Sequence, residues 1–396
     1  MLKGIKIRIY PNGHQKELIA KTFGCCRLIY NKGLAMRKET YESTKESIGY
    51  KETNAMLTSL KKDAEFEFLK EVDSMALQQS LRDLDKAYQN FFRTKRGFPK
   101  FKSKHNPHNA YRTQNVNNCI CIGSSNKHIK VPKLGYVKAK VSYDLSDVKI
   151  NNATIEQMPS GKYFVVLNVE LPDIKKDNAG GIIGIDLGIK DFYVSSDDVK
   201  CDNPKYLVKS AKQLAREQRK LSKKIETHIV GYKMVKGYKC PIYDNSISEC
   251  KNIQKQRIKV VKIQEHIANQ RNDFLQKQST KLVSENQVIG LEDLAVKNMV
   301  RNHKLAKSIY AVSWSKFVTM LEYKAPLFGA EIIKVPRFYA SSQLCSCCGY
   351  KNPMVKNLSI RQWTCPNCEV VHDRDINAAT NILNKALEIK YDKLVP

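Results

Sequence analysis

Two Cys-x-x-Cys turns, Cys345-Ser-Cys-Cys348 and Cys365-Pro-Asn-Cys368, stand sixteen residues apart near the carboxyl end of a 396-residue chain. That spacing is the mark of a structural zinc ribbon, in which four thiolates close a tetrahedral shell around the ion. Cys347 is a fifth thiol in the first turn, but Gly349 follows Cys348 as a metal knuckle prefers, so the expected ligands are Cys345, Cys348, Cys365 and Cys368. A redox pair is the competing chemistry for a lone Cys-x-x-Cys, and two pairs at ribbon spacing argue against it. Cys240 and Cys250 lie ten residues apart with only His228 nearby, and read as free thiols.

Three acids sit in contexts that call for an explanation. Asp186 interrupts the apolar run Ile182-Ile-Gly-Ile-Asp-Leu-Gly188, and Glu292 ends a second one, Val288-Ile-Gly-Leu-Glu292, about a hundred residues later. A carboxylate in such a run is costly unless a cation or a donor compensates it. Asp375, in His372-Asp-Arg-Asp-Ile-Asn-Ala-Ala379, precedes an alanine-rich helical stretch, where capping alone would account for it. Taken together, three hard oxygen donors on separate elements suit Mg²⁺ or Mn²⁺. Phosphodiester hydrolysis needs such a set, to hold ions roughly 4 Å apart that polarise the attacking water and the leaving oxygen.

The elements that must position these groups are legible in outline. The first ten residues alternate as a strand, Pro11-Asn12-Gly13 ends it, and a helix is expected over about 14–37 with Ile19, Phe23, Cys26, Ile29 and Tyr30 on one face. After a charged stretch to about Lys70, residues 76–93 carry the stripe Leu77, Leu81, Leu84, Tyr88 and Phe91. Short alternating runs over about 120–171 predict an antiparallel barrel or sheet, and a polar glycine-containing boundary at 175–181 opens the second half.

Charge points to the partner. Lys and Arg outnumber Asp and Glu by 68 to 39, a formal charge of +29 that a polyanion such as nucleic acid would meet. The run Arg93-Thr-Lys-Arg-Gly-Phe-Pro-Lys-Phe-Lys-Ser-Lys-His105 interleaves cations with Phe98 and Phe101, which suits phosphate contact combined with stacking. Its Lys95, Arg96, Lys100 and Lys102, with Gln78, Gln79 and Arg82 on the 76–93 helix, are the expected nucleic-acid contacts, the amides as readers of base edges. No apolar run of about 18 residues and no signal-peptide core is present, so no membrane role and a reduced cytoplasmic setting are expected for the twelve cysteines.

These segments together resemble TnpB, the transposon-encoded RNA-guided DNA nuclease family held to be ancestral to type V CRISPR effectors. The likeness rests on Gly184-Ile-Asp-Leu-Gly188, Leu291-Glu-Asp-Leu294, Trp314 with Leu321-Glu-Tyr-Lys324, Ser341-Ser-Gln-Leu-Cys345, the second cysteine pair and Asp373-Arg-Asp-Ile-Asn-Ala-Ala379, in the family's order. It implies an α/β multidomain chain: an RNase H-like RuvC nuclease domain with a zinc-ribbon insert, and an amino-terminal β-barrel wedge domain split by a helical recognition domain. The implied boundaries are a wedge strand at 1–12, the recognition domain at 13–104, the wedge barrel at 105–178, RuvC at 179–337, the target-nucleic-acid-binding insert at 338–370, and the RuvC end with its tail at 371–396.

The same resemblance makes Asp186, Glu292 and Asp375 the catalytic magnesium ligands and the four cysteines the zinc ligands. It also implies a transposon-derived guide RNA of the omega type, one protein copy per RNA, a short flanking DNA motif and a double-stranded DNA target in the nucleoid. A nuclease-dead RNA-guided repressor, a type V CRISPR effector and an accessory transposase acting without RNA are the rival readings, and the presence of all three acids argues against the first. Two departures from the family pattern stand out: a polar stretch over about 225–249 between helices usually joined more tightly, and Gln276 where relatives often carry histidine.

Overall fold

The computed structural model describes residues 1–94, 97–104, 109–145, 148–172, 176–235 and 237–392, which fall into two units, Met1–Pro172 and Asp173–Pro396.

In the amino-terminal unit, β1 (Leu2–Tyr10) buries Ile5, Ile7 and Ile9 by simple alternation. Asn12 then starts α1 (Gly13–Thr44) with a reciprocal cap: its side chain accepts from the Gln15 N–H at 2.8 Å, and the Gln15 side chain accepts from the Asn12 N–H at 3.0 Å. The five apolar positions expected on one face of α1 are all buried. The helix outruns its apolar pattern because Arg37, where the pattern stops, is itself buried against Asp85 at 2.5 Å. The stretch that reads only as charged contains α2 (Tyr50–Leu60), which buries just Thr53 and Leu57, too narrow a stripe to stand out. α3 (Ser74–Thr94) follows.

The rest of this unit is antiparallel: β2 (Asn109–Gln114), β3 (Cys121–Ile122), β4 (His128–Val131), β5 (Gly135–Lys140), β6 (Lys149–Gln157) and β7 (Tyr163–Glu170), in the order β2-β6-β7-β1-β5-β4-β3. β1 lies inside the sheet, pairing with β7 from Leu2↔Glu170 to Ile9↔Tyr163 and with β5 at its far end. One core joins Ile5, Ile7 and Ile9 to Val165 and Leu167 of the sheet and to Ile19, Phe23, Leu77 and Leu81 of the helices.

The second unit is built on a five-stranded sheet. Its elements in order are β8 (Gly181–Leu187), β9 (Asp191–Ser195), β10 (Lys200–Asp202), α4 (Tyr206–Glu226), β11 (Ile229–Val235), β12 (Tyr238–Tyr243), α5 (Lys251–Glu285), β13 (Asn286–Glu292), α6 (Val296–Met299), α7 (His303–Val312), α8 (Trp314–Lys324), β14 (Glu331–Val335), β15 (Gln362–Thr364), β16 (Val371–Asp373) and α9 (Arg374–Asp392). The sheet order is β10-β9-β8-β13-β14, with β8, β13 and β14 parallel, β9 antiparallel to β8 and β10 antiparallel to β9. One face packs Ile183, Ile185, Ile289 and Leu291 against Leu275 and Leu282 of α5 and Phe317 and Leu321 of α8. The other packs Val288, Ile333 and Val335 against Ile382 and Ala386 of α9. The polar stretch between the long helices α4 and α5 holds the antiparallel hairpin β11–β12. The two helices are braced by the Gln256 amide, which donates to the Glu217 carboxylate at 2.8 Å.

Candidate metal centres

Strand periodicity decides where the acids on β8 and β13 point. Ile183, Ile185 and Leu187 face the core shared with α5 and α8, as do Ile289 and Leu291. Asp186 and Glu292, one step out of phase, therefore lie with Gly184 and Gly290 on the opposite face. The strands are parallel neighbours with Leu291 level with Ile185. Glu292 accordingly stands beside Asp186 at the carboxyl ends of both strands.

The third acid arrives on α9. A Cβ at Gly184 would lie 2.1 Å from the Ala379 carbonyl oxygen and 2.6 Å from the Leu383 nitrogen, and one at Gly290 would lie 2.8 Å from the Ala386 Cβ. Only glycine lets the helix backbone rest on the two strands in this way. Ala379, one turn into α9, sits over Gly184, so Asp375 in the first turn overhangs the strand end that carries Asp186. Capping does not explain Asp375, because Asp373 does that work: its carboxylate accepts from the Asp375 N–H at 3.0 Å and the Ile376 N–H at 3.2 Å.

The electrostatics register this convergence. Burial pushes the Asp186 carboxyl up to about 7; the charges of Glu292 and Asp375 add to the push, and Arg374 opposes it. Around the acids, the Ser341 hydroxyl donates to Glu292 at 2.6 Å, Arg361 reaches Asp375 at 3.3 Å, and Lys200 pairs with Asp373 at 2.6 Å. Three converging carboxylates with hard oxygen donors fit divalent cations, which would offset both the burial and the neighbouring charges that raise Asp186.

The cysteines form a second, separate site. Their four Sγ atoms lie within 4.8 Å of one another, with Cys345–Cys368 and Cys348–Cys365 both at 3.6 Å. A zinc ion with bonds of about 2.3 Å to four sulfurs requires edges of about 3.8 Å, so the cage fits that ion. Two matching knuckles build it. The Gly349 N–H donates to the Cys345 carbonyl and the Glu369 N–H to the Cys365 carbonyl, each at 2.9 Å, and both residues have positive φ. Cys347 is exposed and outside the set. Beside the cage, His372 Nε2 lies 3.0 Å from Cys345 Sγ, with its ring tilted against Trp363.

Asparagines on α9 tie the two sites together. Asn377 donates to the Leu344 carbonyl at 2.6 Å and accepts from the Ser346 N–H at 2.9 Å, while Asn381 donates to the Ser341 and Leu344 carbonyls at 2.8 and 2.7 Å. The segment that leads into the first knuckle is thus held on the helix that carries Asp375.

Residues 314–382 match the model described as "Cas12f1-like, TNB domain", residues 165–303 the model "Probable transposase" of the OrfB/IS605 family, and residues 1–46 its "Helix-turn-helix domain". A protein of Streptomyces pristinaespiralis named "Putative RNA-guided DNA endonuclease" is 34% identical over 391 residues, 97% of this chain and 89% of its own length. The chain belongs to the TnpB family. The family protein of Escherichia coli K12 named "Putative RNA-guided DNA endonuclease InsQ" is 30% identical over 398 residues, covering 96% of this chain and 92% of its own. The solved Cas12f1–sgRNA–target DNA complex has the same fold at 14% identity, with a TM-score of 0.50 over 97% of this chain and 99% of that one. Despite the name of the helix-turn-helix model, residues 1–46 hold one strand and a single unbroken helix.

The family motifs contain Ser341, Asp373, Arg374 and Asn377, and Asn381 lies just beyond the last of them, yet residue type alone gave none of them a role. Arg374 is the clearest omission: it is buried, and it lowers the cost of ionising Asp186. Gln276 pairs with the Tyr323 hydroxyl at 3.2 Å and its carbonyl accepts from Lys324 at 2.9 Å, contacts between α5 and α8.

The expected nucleic-acid contacts fare unevenly. Gln79 does not present a free amide: it is 6% exposed, donates to Asp83 at 3.0 Å and accepts from Gln114 at 2.8 Å. It lies toward the sheet, because the buried face of α3 is broad enough to include position 79 beside 77 and 81. Gln78 is half-buried, and Arg82 is exposed with its guanidinium 4.7 Å from the Tyr50 ring. Lys100 and Lys102 are exposed, Lys102 with its ammonium 4.1 Å from the Tyr30 ring. Lys95 and Arg96 lie outside the described residues.

Proposed function

We propose that this chain is a transposon's RNA-guided DNA endonuclease that cuts its target at a single site formed by Asp186, Glu292 and Asp375. The observation that carries the reading is the delivery of three acids from two parallel strand ends and one helix start to one face of the sheet, where Asp186 is raised to about 7 by burial and by the other two. The names of the relatives in two bacteria support the same activity.

In this reading the mixed sheet and α9 are the RuvC domain, with boundaries at 179–337 and 371–396, interrupted by a target-nucleic-acid-binding insert at 338–370 that holds structural Zn²⁺ on Cys345, Cys348, Cys365 and Cys368. The seven-stranded sheet, with pieces at 1–12 and 105–178, is the wedge, and 13–104 the recognition domain. Mg²⁺, or Mn²⁺ in its place, would be held by the three acids and would supply the polarised water and the stabilised leaving oxygen. The chain's own contribution is positional. Ser341 fixes one oxygen of Glu292, Asp373 frees Asp375 by taking over the cap, and Arg374 favours the ionised form of Asp186.

The partners are an omega-type guide RNA, one protein copy per RNA, and a double-stranded DNA target beside a short flanking motif. Gln78, Arg82, Lys95, Arg96, Lys100 and Lys102 are the contact candidates in the amino-terminal unit. The setting is the bacterial cytoplasm and nucleoid. Among the described residues no helix is long and apolar enough to cross a membrane.

The test is to express the chain with its native flanking DNA, sequence the RNA that co-purifies, and follow magnesium-dependent cutting of a matching duplex. Glu292→Ala should lower cutting by more than about a hundredfold, beyond the loss usual for residues that only support a metal ligand, while RNA and DNA binding persist. Undiminished cutting by that variant overturns the site, and the absence of any discrete RNA overturns the guided activity.

A further inference from the structure

The amino-terminal unit contains a cleft that the cutting reaction does not use. Near the end of α3, Tyr88, Phe91, Phe92 and Phe98 gather with Tyr41 of α1 around a cavity of about 630 Å³. Phe98 meets Phe91 and Tyr88 edge-on at 5.3 and 5.4 Å, a packed aromatic floor. Phe92 and Tyr41 are instead 69% and 56% exposed, a large apolar area to leave in water.

Cations line the same cleft. Lys38 stands 5.4 Å from the Phe98 ring and 4.9 Å from the Phe101 ring. Arg37 is 6% exposed, pairs with Asp85 and lies 4.8 Å over the Tyr88 ring, yet its buried Nε has no protein partner. A buried donor left unmet is costly, and an acceptor brought in by a ligand would satisfy it. Glu42 and Ser47 on the wall add an acceptor and a hydroxyl.

We propose that this cleft takes an unstacked nucleobase, a reading that rests on the chain's being a nucleic-acid-binding protein. The volume lies in the range of small-ligand sites. Phe92 and Tyr41 offer faces for stacking, which any base accepts. The edge of a base carries the acceptor that Arg37 lacks and the amino or imino groups that Glu42 and Ser47 match. The exposed Arg93, Lys100, Lys102 and Lys104 beside it in sequence supply phosphate contacts for the strand that bears the base. An apolar peptide or a second copy of the chain would cover the rings but would have no use for these cations.

The experiment uses the full chain in chelator, so that its outcome is independent of cutting. In one arm the RNA transcribed from the native flanking DNA carries 5-iodouracil; in the other a matching DNA duplex does. Irradiation should crosslink Tyr41, Phe92 or Phe98 in one arm, which names the source of the base. Tyr41→Ala with Phe92→Ala should weaken binding of that nucleic acid about tenfold or more, the range expected for a lost stacking platform, while Phe92→Trp retains affinity. Ser47→Trp, which fills the cleft and spares the rings, guards against a misfolded double variant and should also abolish the crosslink. No crosslink in either arm, unchanged affinity, or a dimer that the double variant dissolves overturns the proposal. Failure here leaves the nuclease site standing, because the loss expected of Glu292→Ala is a loss of cutting with binding retained.

Discussion

The cysteine site and the carboxylate site share the second unit and are tied through α9, but they are made in opposite ways. The cysteine cage comes from 24 consecutive residues, two knuckles of the same form, each closed by a backbone hydrogen bond within its own turn. The carboxylate site draws on β8, β13 and α9, with Asp186 and Asp375 separated by most of the unit. A local site depends on its ligands and its turns. An assembled site depends on every contact that fixes the relative placement of its elements, including glycines that bear no functional group.

The strongest attempt to break this contrast is Gly184→Val. Because a side chain there meets the backbone of α9, we expect a loss of about 4 kcal/mol or more of stability and no cutting, with the cysteine ligands untouched. Denaturant melts and metal analysis on the same sample read both; a normal melt would show that α9 is not seated by that glycine. Confined to the insert, Cys365→Ser should release zinc and unfold that module, since structural zinc is worth on the order of 10 kcal/mol to such modules. Absence of zinc in the parent chain by metal analysis contradicts it.

Smaller effects sharpen the comparison. Ser341→Ala removes the hydrogen bond that orients Glu292 and should slow cutting about tenfold without loss of DNA binding; single-turnover rates decide it. The smallest effect is on pH. In chelator the folded chain holds the Asp186 proton up to about 7, against an ordinary value of 3.8. The folded state therefore binds more protons than the unfolded one between these values, and this group's contribution to stability falls as pH rises from about 4 to about 7. Asp186→Asn should flatten that slope in melts taken from pH 5 to pH 8, as should added Mg²⁺ for the parent chain. An unchanged slope in Asp186→Asn means that burial and the neighbouring carboxylates do not raise Asp186 as described.

Legibility followed the same division. The Cys-x-x-Cys pairs, the stripe of α1 and the apolar strands β8 and β13 could be read directly, because each is a short-range pattern in residue type. α2 escaped because it buries too little, and Gln79 was misplaced because α3 has a second buried side toward the sheet. Sequence alone offered Asp375 as the cap of α9, and only the backbone bonds assign that cap to Asp373.

By itself, the sequence determined the zinc-type ligand set, the basic character of the chain and the three acids as candidates, since spacing and charge are properties of the residues. Only the tertiary structure decided that the acids meet. That meeting needs the parallel register of β8 and β13, the period-two turn of Asp186 and Glu292 toward α9, and the glycines that let the helix descend on them. Each of these is a relation between segments distant in the chain, fixed by packing, and no local pattern encodes it.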